Sequence, residues 1–134
     1  MQKMKEILLD SSVLIDFLRR KDKKKSLLIK IIDVGYSPTI SLITHAELFA
    51  GRNVWRSKKA KKELEEMLSG LKIIAFDEKT SQLAGKLRAR YQISLADAFI
   101  AACAIEKKLL LSTLNMRDFK KIKGIKILEP SKGS

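Results

Sequence analysis

Short apolar runs alternate along the chain with longer segments in which apolar side chains recur every three or four residues. The runs cover residues 7–9, 38–42, 71–76 and 109–112, and residues 125–128 are a candidate fifth. Runs of this length, each followed by a helical pattern, are typical of buried strands in β–α units. Strands that alternate with helices of about ten or more residues predict a mainly parallel sheet of four to five strands, covered by helices on both faces.

Capping residues set the ends of the helical segments. Polar caps such as Asp77 and Ser94 precede helices, and Gly35, Gly51 and Gly70 follow them. The predicted helices cover residues 13–20, 26–34, 44–51, 56–69, 77–91 and 115–121, with one more that begins at Ser94. The helix at Ser94 is the most apolar of the set.

Length and composition predict a single domain over residues 1–134. The chain has 46% hydrophobic residues, enough for one core, and contains no internal repeat or linker. Its only cysteine, Cys103, lies in an apolar run and is expected to be a buried residue in a reducing compartment. Asp97 interrupts the longest apolar stretch, which is shorter than the roughly 20 residues that a membrane span needs. With no secretory signal pattern either, the protein is expected to be cytoplasmic.

The charge balance predicts a polyanionic partner. The chain has 28 Lys and Arg residues against 15 Asp and Glu residues, for a net charge of +13. A surface of this charge attracts nucleic acid, because contacts to phosphates release counterions. The alternative is a Lys-rich surface that is merely solvated or reflects adaptation to heat, although Glu is not similarly abundant.

Three acidic residues follow predicted strands. Asp10 comes directly after the first strand, Glu47 lies a helical turn beyond the second, and Asp118 lies a turn beyond the fourth. Open parallel sheets bind ligands outside the carboxyl ends of their strands, so we expect these three carboxylates to share one edge. Asp97 is expected to be buried inside the most apolar helix, where a charge is costly unless it is paired or bound to a cation.

The four carboxylates predict a site for a hard divalent cation. Two carboxylates about 4 Å apart repel by on the order of 4 kcal/mol at an effective dielectric constant of 20, and a cation removes that cost. All-oxygen ligands favour Mg²⁺ or Mn²⁺, whereas one histidine, His45, and one cysteine make no zinc set. A bound metal can orient water and neutralise a phosphodiester, so hydrolysis of nucleic acid is predicted. His45 itself is expected to be a surface or packing residue.

Helix capping offers a second interpretation of the same acids. The pairs Thr44 and Glu47, Ser94 and Asp97, and Asn115 and Asp118 all have the spacing of a capping box, and Asp10 could be a simple N-cap. The chain would then be a basic nucleic-acid-binding domain without catalysis. Nucleotide-binding enzymes are disfavoured because neither glycine-rich phosphate motif occurs.

Four segments together resemble a known family. They are Leu9-Asp10-Ser11-Ser12-Val13-Leu14-Ile15-Asp16, Ser41-x-x-Thr44-x-x-Glu47-Leu48-x-x-Gly51, Leu95-Ala96-Asp97-Ala98-x-Ile100-Ala101-Ala102 and Ser112-Thr113-x-Asn115-x-x-Asp118-Phe119. In this order, and over nearly the whole chain, they are similar to a PIN-domain ribonuclease of the VapC toxin type.

The resemblance implies a three-layer α/β/α sandwich and a Mg²⁺- or Mn²⁺-dependent endoribonuclease. Asp10 and Asp97 match the most direct metal ligands, and Glu47 and Asp118 match the other two acids of the pocket. The supporting polar positions match Thr113 and Asn115, and Asp16 matches a further acidic position. For Asp16 a helix-turn role or a contact with a basic side chain is expected instead of metal ligation.

The resemblance also implies partners: a homodimer and a small antitoxin protein that blocks the site. Apolar side chains on the early helices, namely Leu14, Phe17 and Leu18, would suit the antitoxin, although core packing is expected for at least two of them. Basic runs could hold the RNA backbone, but no aromatic residues interleave with them, so base stacking is not predicted. These runs are residues 19–21, 56–62 and 117–126. A PIN nuclease of RNA maturation, without toxicity, is the remaining alternative.

Overall fold

Four parallel strands form the central sheet of the computed structural model, which describes residues 5–129. The strands are β1 (Lys5–Leu9), β2 (Tyr36–Ser41), β3 (Lys72–Ile74) and β4 (Leu110–Ser112). Their order across the sheet is β3-β2-β1-β4, and all three pairings are parallel. The mainly parallel sheet predicted from the alternating pattern is therefore confirmed.

Helices connect the strands and cover both faces of the sheet. Those in the described part of the chain are α1 (Ser11–Arg19), α2 (Leu27–Val34), α3 (Leu42–Phe49), α4 (Arg52–Arg56), α5 (Lys58–Ser69), α6 (Glu78–Arg90), α7 (Leu95–Glu106) and α8 (Met116–Lys120). A 3₁₀ turn at Lys23–Lys25 follows α1. None of the helices within residues 5–129 is both long and apolar enough to cross a membrane.

Side chains of β1 alternate between two apolar cores. Ile7 and Leu9 pack with α1, α2 and α5 on one face, and Leu8 packs with α6, α7 and α8 on the other. All three side chains are fully buried. Successive side chains of a strand point to opposite faces, so a strand that is apolar throughout is stable only when both faces are covered. The result is the three-layer α/β/α sandwich that was predicted.

Most helix ends lie where the caps predict them. The Ser94 Oγ accepts a hydrogen bond from Asp97 N at 3.0 Å, and the Asp77 carboxylate accepts from Thr80 N at 3.0 Å. Gly35 ends α2 with a φ of 108°, in the left-handed region that an L side chain rarely adopts.

Two helix predictions are wrong at their starts. Helix α3 begins at Leu42, because the Ser41 Oγ accepts from Thr44 N and so caps the helix three residues before the predicted cap. The helix predicted over residues 56–69 is α5, which begins two residues later at Lys58, and a short helix that was not predicted, α4, precedes it. Ser57 separates them with an extended backbone and caps α5 through Ala60 N.

The predicted fifth strand over residues 125–128 is reduced to an isolated bridge between Leu111 and Ile127. Leu111 N donates to Lys126 O, and Leu128 N donates to Leu111 O, at 2.9 and 2.8 Å. One bridge is too short to be a strand, but it covers the outer edge of β4 and thereby protects an otherwise open sheet edge.

Candidate active site

The sheet changes direction beside β1, and the acidic residues lie at that point. From β1 the chain moves outward to β2 and β3, and then crosses to the opposite side of β1 to form β4. A crevice forms at such a switch point, outside the carboxyl ends of the strands. Asp10 directly follows β1, and Thr113 directly follows β4. Asp10 N donates to Ser112 O at 3.0 Å, so the two strand ends are tied together.

Three donors fix the Asp10 carboxylate. Its Oδ1 accepts from Ser11 N at 2.8 Å, and its Oδ2 accepts from the Ser12 and Thr113 hydroxyls at 2.9 and 2.8 Å. Asp10 is only 4% exposed. The carboxylate is thus an N-cap of α1, as the capping interpretation predicted, but one hydroxyl from the first turn of α1 and one from the loop after β4 also hold it rigidly at the crevice.

A chain of hydrogen bonds runs from Asp10 to Asp118. Thr113 Oγ1, which donates to Asp10, accepts from Asn115 N at 2.8 Å. The Asn115 side chain donates through Nδ2 to the Asp118 carboxylate at 2.9 Å. Because Asn115 makes no side-chain cap to α8, the capping box predicted for Asn115 and Asp118 is wrong. Thr113 and Asn115 therefore contact the carboxylates of Asp10 and Asp118, as residues that support an acidic pocket would.

Asp97 lies in the first turn of α7 and is only partly buried. The expectation of an acid deep inside an apolar helix is therefore wrong, because the helix begins at Leu95 and its first turn opens onto the crevice. Partial burial raises the pKa of Asp97, and the negative charges of Asp10 and Asp118 raise it further. The Ser94 hydroxyl accepts from the backbone N–H of Asp97, and a hydrogen bond from Ser94 to the Asp97 carboxylate opposes only part of the rise in its pKa.

Glu47 projects from α3 toward the same crevice. The side chain keeps contact with solvent, but partial burial of its carboxylate raises its pKa, and the charges of Asp10 and Asp97 add to the effect. Since Ser41 is the cap of α3, the capping box predicted for Thr44 and Glu47 is wrong. The sequence-predicted acids are therefore neighbours that repel one another, although they come from four separate segments.

The donor set fits a hard divalent cation. All four side chains offer oxygen, and neither ion pair found within residues 5–129, Arg20 with Asp16 and Lys72 with Glu6, neutralises any of them. In this same part of the chain no three acidic, His or Cys side chains are already arranged as a metal-binding group. The four acids border the crevice, but within this part of the chain they do not form a closed set of metal ligands.

An open cleft of about 550 Å³ adjoins the acids, and one basic residue is among those that line it. Asp97 and Asp118 line it together with Ser94, Gln92 and Arg88. Arg88 was not predicted as a site residue, because it is one of several basic residues on α6 and only the fold selects the one that lines the cleft. The hydrogen bond from the Ser12 hydroxyl to Asp10 was not predicted either, although the two serines after Asp10 were a signal for it.

Several other predicted residues lie outside the crevice. Asp16 accepts from Arg20 Nε at 2.9 Å and from Leu27 N at 3.2 Å, which confirms its structural role. His45 packs against Phe49, with ring centroids 4.9 Å apart, as expected of a packing residue.

Cys103 is 1% exposed, and burial raises the pKa of its thiol to about 11, so it is an inert core residue. Leu14 is fully buried, whereas Phe17 and Leu18 are partly buried and line a groove beside α5. Phe17 and Leu18 also pack against the core that contains Leu14, so the core packing expected for at least two of these three residues is confirmed.

The arrangement as a whole defines an α/β/α protein with an acidic cleft at the switch point of a parallel sheet. The family model of the PIN domain matches residues 7–125, and the chain belongs to the PIN-domain family. The resemblance to that family inferred from the sequence motifs is confirmed.

Solved structures with this fold include several toxin–antitoxin complexes. A toxin–antitoxin complex from Klebsiella pneumoniae has 29% identity and a TM-score of 0.72, over 93% of this chain and 98% of the other. VapBC2 from Rickettsia felis, bound to a promoter DNA fragment, has 24% identity and a TM-score of 0.77, over 94% and 99%. DNA-bound VapBC from Salmonella typhimurium also has 24% identity and a TM-score of 0.77, over 94% and 98%. No curated protein sequence matches the chain significantly.

Proposed function

We propose that this PIN domain is an endoribonuclease that uses Mg²⁺ or Mn²⁺ to hydrolyse RNA phosphodiester bonds. One observation carries the proposal: four acids from separate segments gather at one crevice, where partial burial and then the charges of neighbouring acids raise the pKa values of Glu47 and Asp97. Repulsion between these carboxylates destabilises the folded state, and a bound divalent cation would offset that destabilisation. The net charge of +13 supports a nucleic-acid substrate.

The roles of the side chains follow from how each is held. Asp10 and Asp97 would be the direct metal ligands, with Glu47 and Asp118 completing the acidic pocket. When bound, the metal supplies an activated water and neutralises charge on the phosphodiester. Thr113 fixes the Asp10 carboxylate so that it need not reorganise when substrate arrives.

Two further residues act at the edge of this pocket. The Asn115 amide orients the Asp118 carboxylate through its hydrogen bond. Arg88, on the wall of the cleft, would hold a substrate phosphate beside the acids, because a guanidinium makes strong charge-assisted hydrogen bonds to phosphate oxygens.

We also propose that the nuclease is a cytoplasmic single-domain toxin that forms a homodimer and is inhibited by an antitoxin protein. Support comes from the structure at 29% identity, which is itself a toxin–antitoxin complex. Expression of the chain alone should arrest growth, and coexpression of a small protein encoded beside it should relieve the arrest. Harmless expression of an active nuclease would favour RNA maturation instead.

An Asp97→Asn variant tests catalysis. With Mn²⁺ present we expect RNA cleavage to fall by more than about a hundredfold, a larger loss than an outer-sphere partner of a metal causes. RNA binding should be largely retained. Asp33→Asn is the matched control, since Asp33 is exposed on α2, away from the crevice. Equal cleavage by the Asp97 variant and the parent, or cleavage that chelation of the metal leaves unchanged, would overturn the proposal.

A further inference from the structure

Trp55, the only tryptophan of the chain, presents most of its ring to solvent. It lies in α4 and is 65% exposed. Its Nε1 donates to Phe49 O at 2.6 Å, and its ring lies against the Phe49 ring, with centroids 6.0 Å apart. Since the indole N–H is already satisfied and the ring is supported from behind, the exposed part is a fixed aromatic surface.

All the charged residues in the segment around Trp55 are basic. Residues 52–62 include six basic residues and no acidic residue. The six are Arg52, Arg56, Lys58, Lys59, Lys61 and Lys62. All of them are exposed, and within residues 5–129 none forms an ion pair. The Lys61 Nζ lies 5.3 Å from the centroid of the Trp55 ring.

We propose that Trp55 is a stacking platform for an unpaired base of single-stranded RNA, with the surrounding charges holding the adjacent phosphates. This inference rests on the proposed ribonuclease function and names the form of its substrate. An exposed aromatic ring among cations is the combination that binds single strands, because the ring stacks on a base while the cations follow the backbone.

RNA suits this surface better than a protein partner does. A protein interface over Trp55 would bury part of a six-charge cluster that lacks acidic partners, and lysine is depleted from protein interfaces. A phosphate backbone supplies the missing negative charge. No aromatic residue lies within the basic run over residues 56–62, but Trp55 immediately precedes it, and Lys61 of that run lies over the Trp55 ring.

Tryptophan fluorescence tests the platform directly, because Trp55 is the only source of the signal. The probe is a short unstructured oligoadenylate, added to the full chain in the presence of EDTA so that no cleavage intervenes. Stacking predicts quenching that saturates together with binding measured by anisotropy. An abasic oligomer of the same length should bind through its phosphates without quenching. Binding of oligoadenylate without quenching would overturn the proposal.

Variants then measure what the ring contributes. Trp55→Ala should weaken oligoadenylate binding by about five- to a hundredfold, the range that base stacking on an aromatic ring provides. Trp55→Phe, which keeps an aromatic face, should retain most of the affinity, and Lys79→Ala, a charge loss on the separate helix α6, should change it little. Unchanged affinity in Trp55→Ala would reject the platform, and dissociation of a dimer in that variant would identify a protein interface instead.

Failure of the platform and failure of the nuclease can be told apart. Quenching is measured without metal and should persist in the Asp97→Asn variant. Loss of cleavage in Asp97→Asn without any quenching in the parent would reject the platform alone. Quenching in the parent without metal-dependent cleavage would reject only the proposed catalysis.

Discussion

Replacement of Thr113 by Val tests whether the brace on Asp10 is needed for both stability and catalysis. Valine has nearly the shape of threonine, so the change removes the hydroxyl with little change in packing volume. The lost hydroxyl donates to Asp10 Oδ2 at 2.8 Å and accepts from Asn115 N at 2.8 Å. Thr113 is 3% exposed, so water cannot readily take its place.

The expected loss of stability is the sum of two hydrogen bonds. A hydrogen bond to a charged group contributes about 1.5–3 kcal/mol, and a neutral one about 0.5–1.5 kcal/mol. Asn115 is only partly buried, so its N–H can recruit solvent and adds the lower value. Thr113→Val should therefore reduce the free energy of unfolding by about 2–3.5 kcal/mol.

Thr80→Val is the matched control. Thr80 is also 3% exposed, and its hydroxyl donates to an aspartate, Asp77, at 3.1 Å, but far from the crevice. Asp77 is exposed, and water can replace the lost donor, so the expected cost is only about 0.5–1.5 kcal/mol.

Urea unfolding and RNA cleavage, measured on both variants, separate the two roles. Thr113→Val should lose more stability than Thr80→Val and should also lose at least about tenfold in cleavage, as expected for an outer-sphere partner of a ligand. Thr80→Val should cleave like the parent. Equal unfolding free energies and unchanged cleavage in Thr113→Val would refute the reasoning.

Two further predictions concern charge. Arg88→Ala should lower RNA cleavage by roughly tenfold or more, because a charged contact to a substrate phosphate is lost. Lys86→Ala, on the same helix but outside the cleft lining, should lower it little. Equal effects of the two substitutions would show that Arg88 is not part of the site. The folded-state pKa values of Glu47 and Asp97 are raised, so protonation of these two acids stabilises the folded state. This stabilisation is fully present below their ordinary pKa values and is lost as pH rises through the folded-state values. Metal-free protein should therefore gain relative stability from this pair as pH falls from neutral toward about 4, judged by comparing urea unfolding of the parent with that of a Glu47→Gln, Asp97→Asn double variant. A parent whose pH profile matches that of the double variant would contradict the repulsion.

The strands and most caps could be predicted because their causes are local. Fully apolar runs such as residues 7–9 have one stable environment in an α/β chain, and Gly35 can adopt a backbone conformation that other residues avoid. The start of α3 could not be predicted in the same way. Ser41 and Thr44 are both good caps three residues apart, and only the pairing of β2 through Ser41 decides between them.

The residues of the candidate site likewise include some that could be predicted from the sequence and some that depend on the fold. The four acids could be predicted because strand ends meet at one edge of a parallel sheet. The partial burial of Asp97, the choice of Arg88 among the basic residues of α6 and the exposure of Trp55 depend on how helices pack, which no local pattern encodes. The hydroxyl brace from Thr113 joins residues 103 positions apart, and only the adjacency of β1 and β4 creates it.

Anomalous diffraction from crystals grown with Mn²⁺ tests most directly whether the acids share a cation. The account predicts a strong Mn²⁺ peak at the carboxyl ends of β1 and β4, contacted by Asp10 and Asp97 and bordered by Glu47 and Asp118. Absence of a Mn²⁺ peak in the crevice at saturating Mn²⁺ would contradict it.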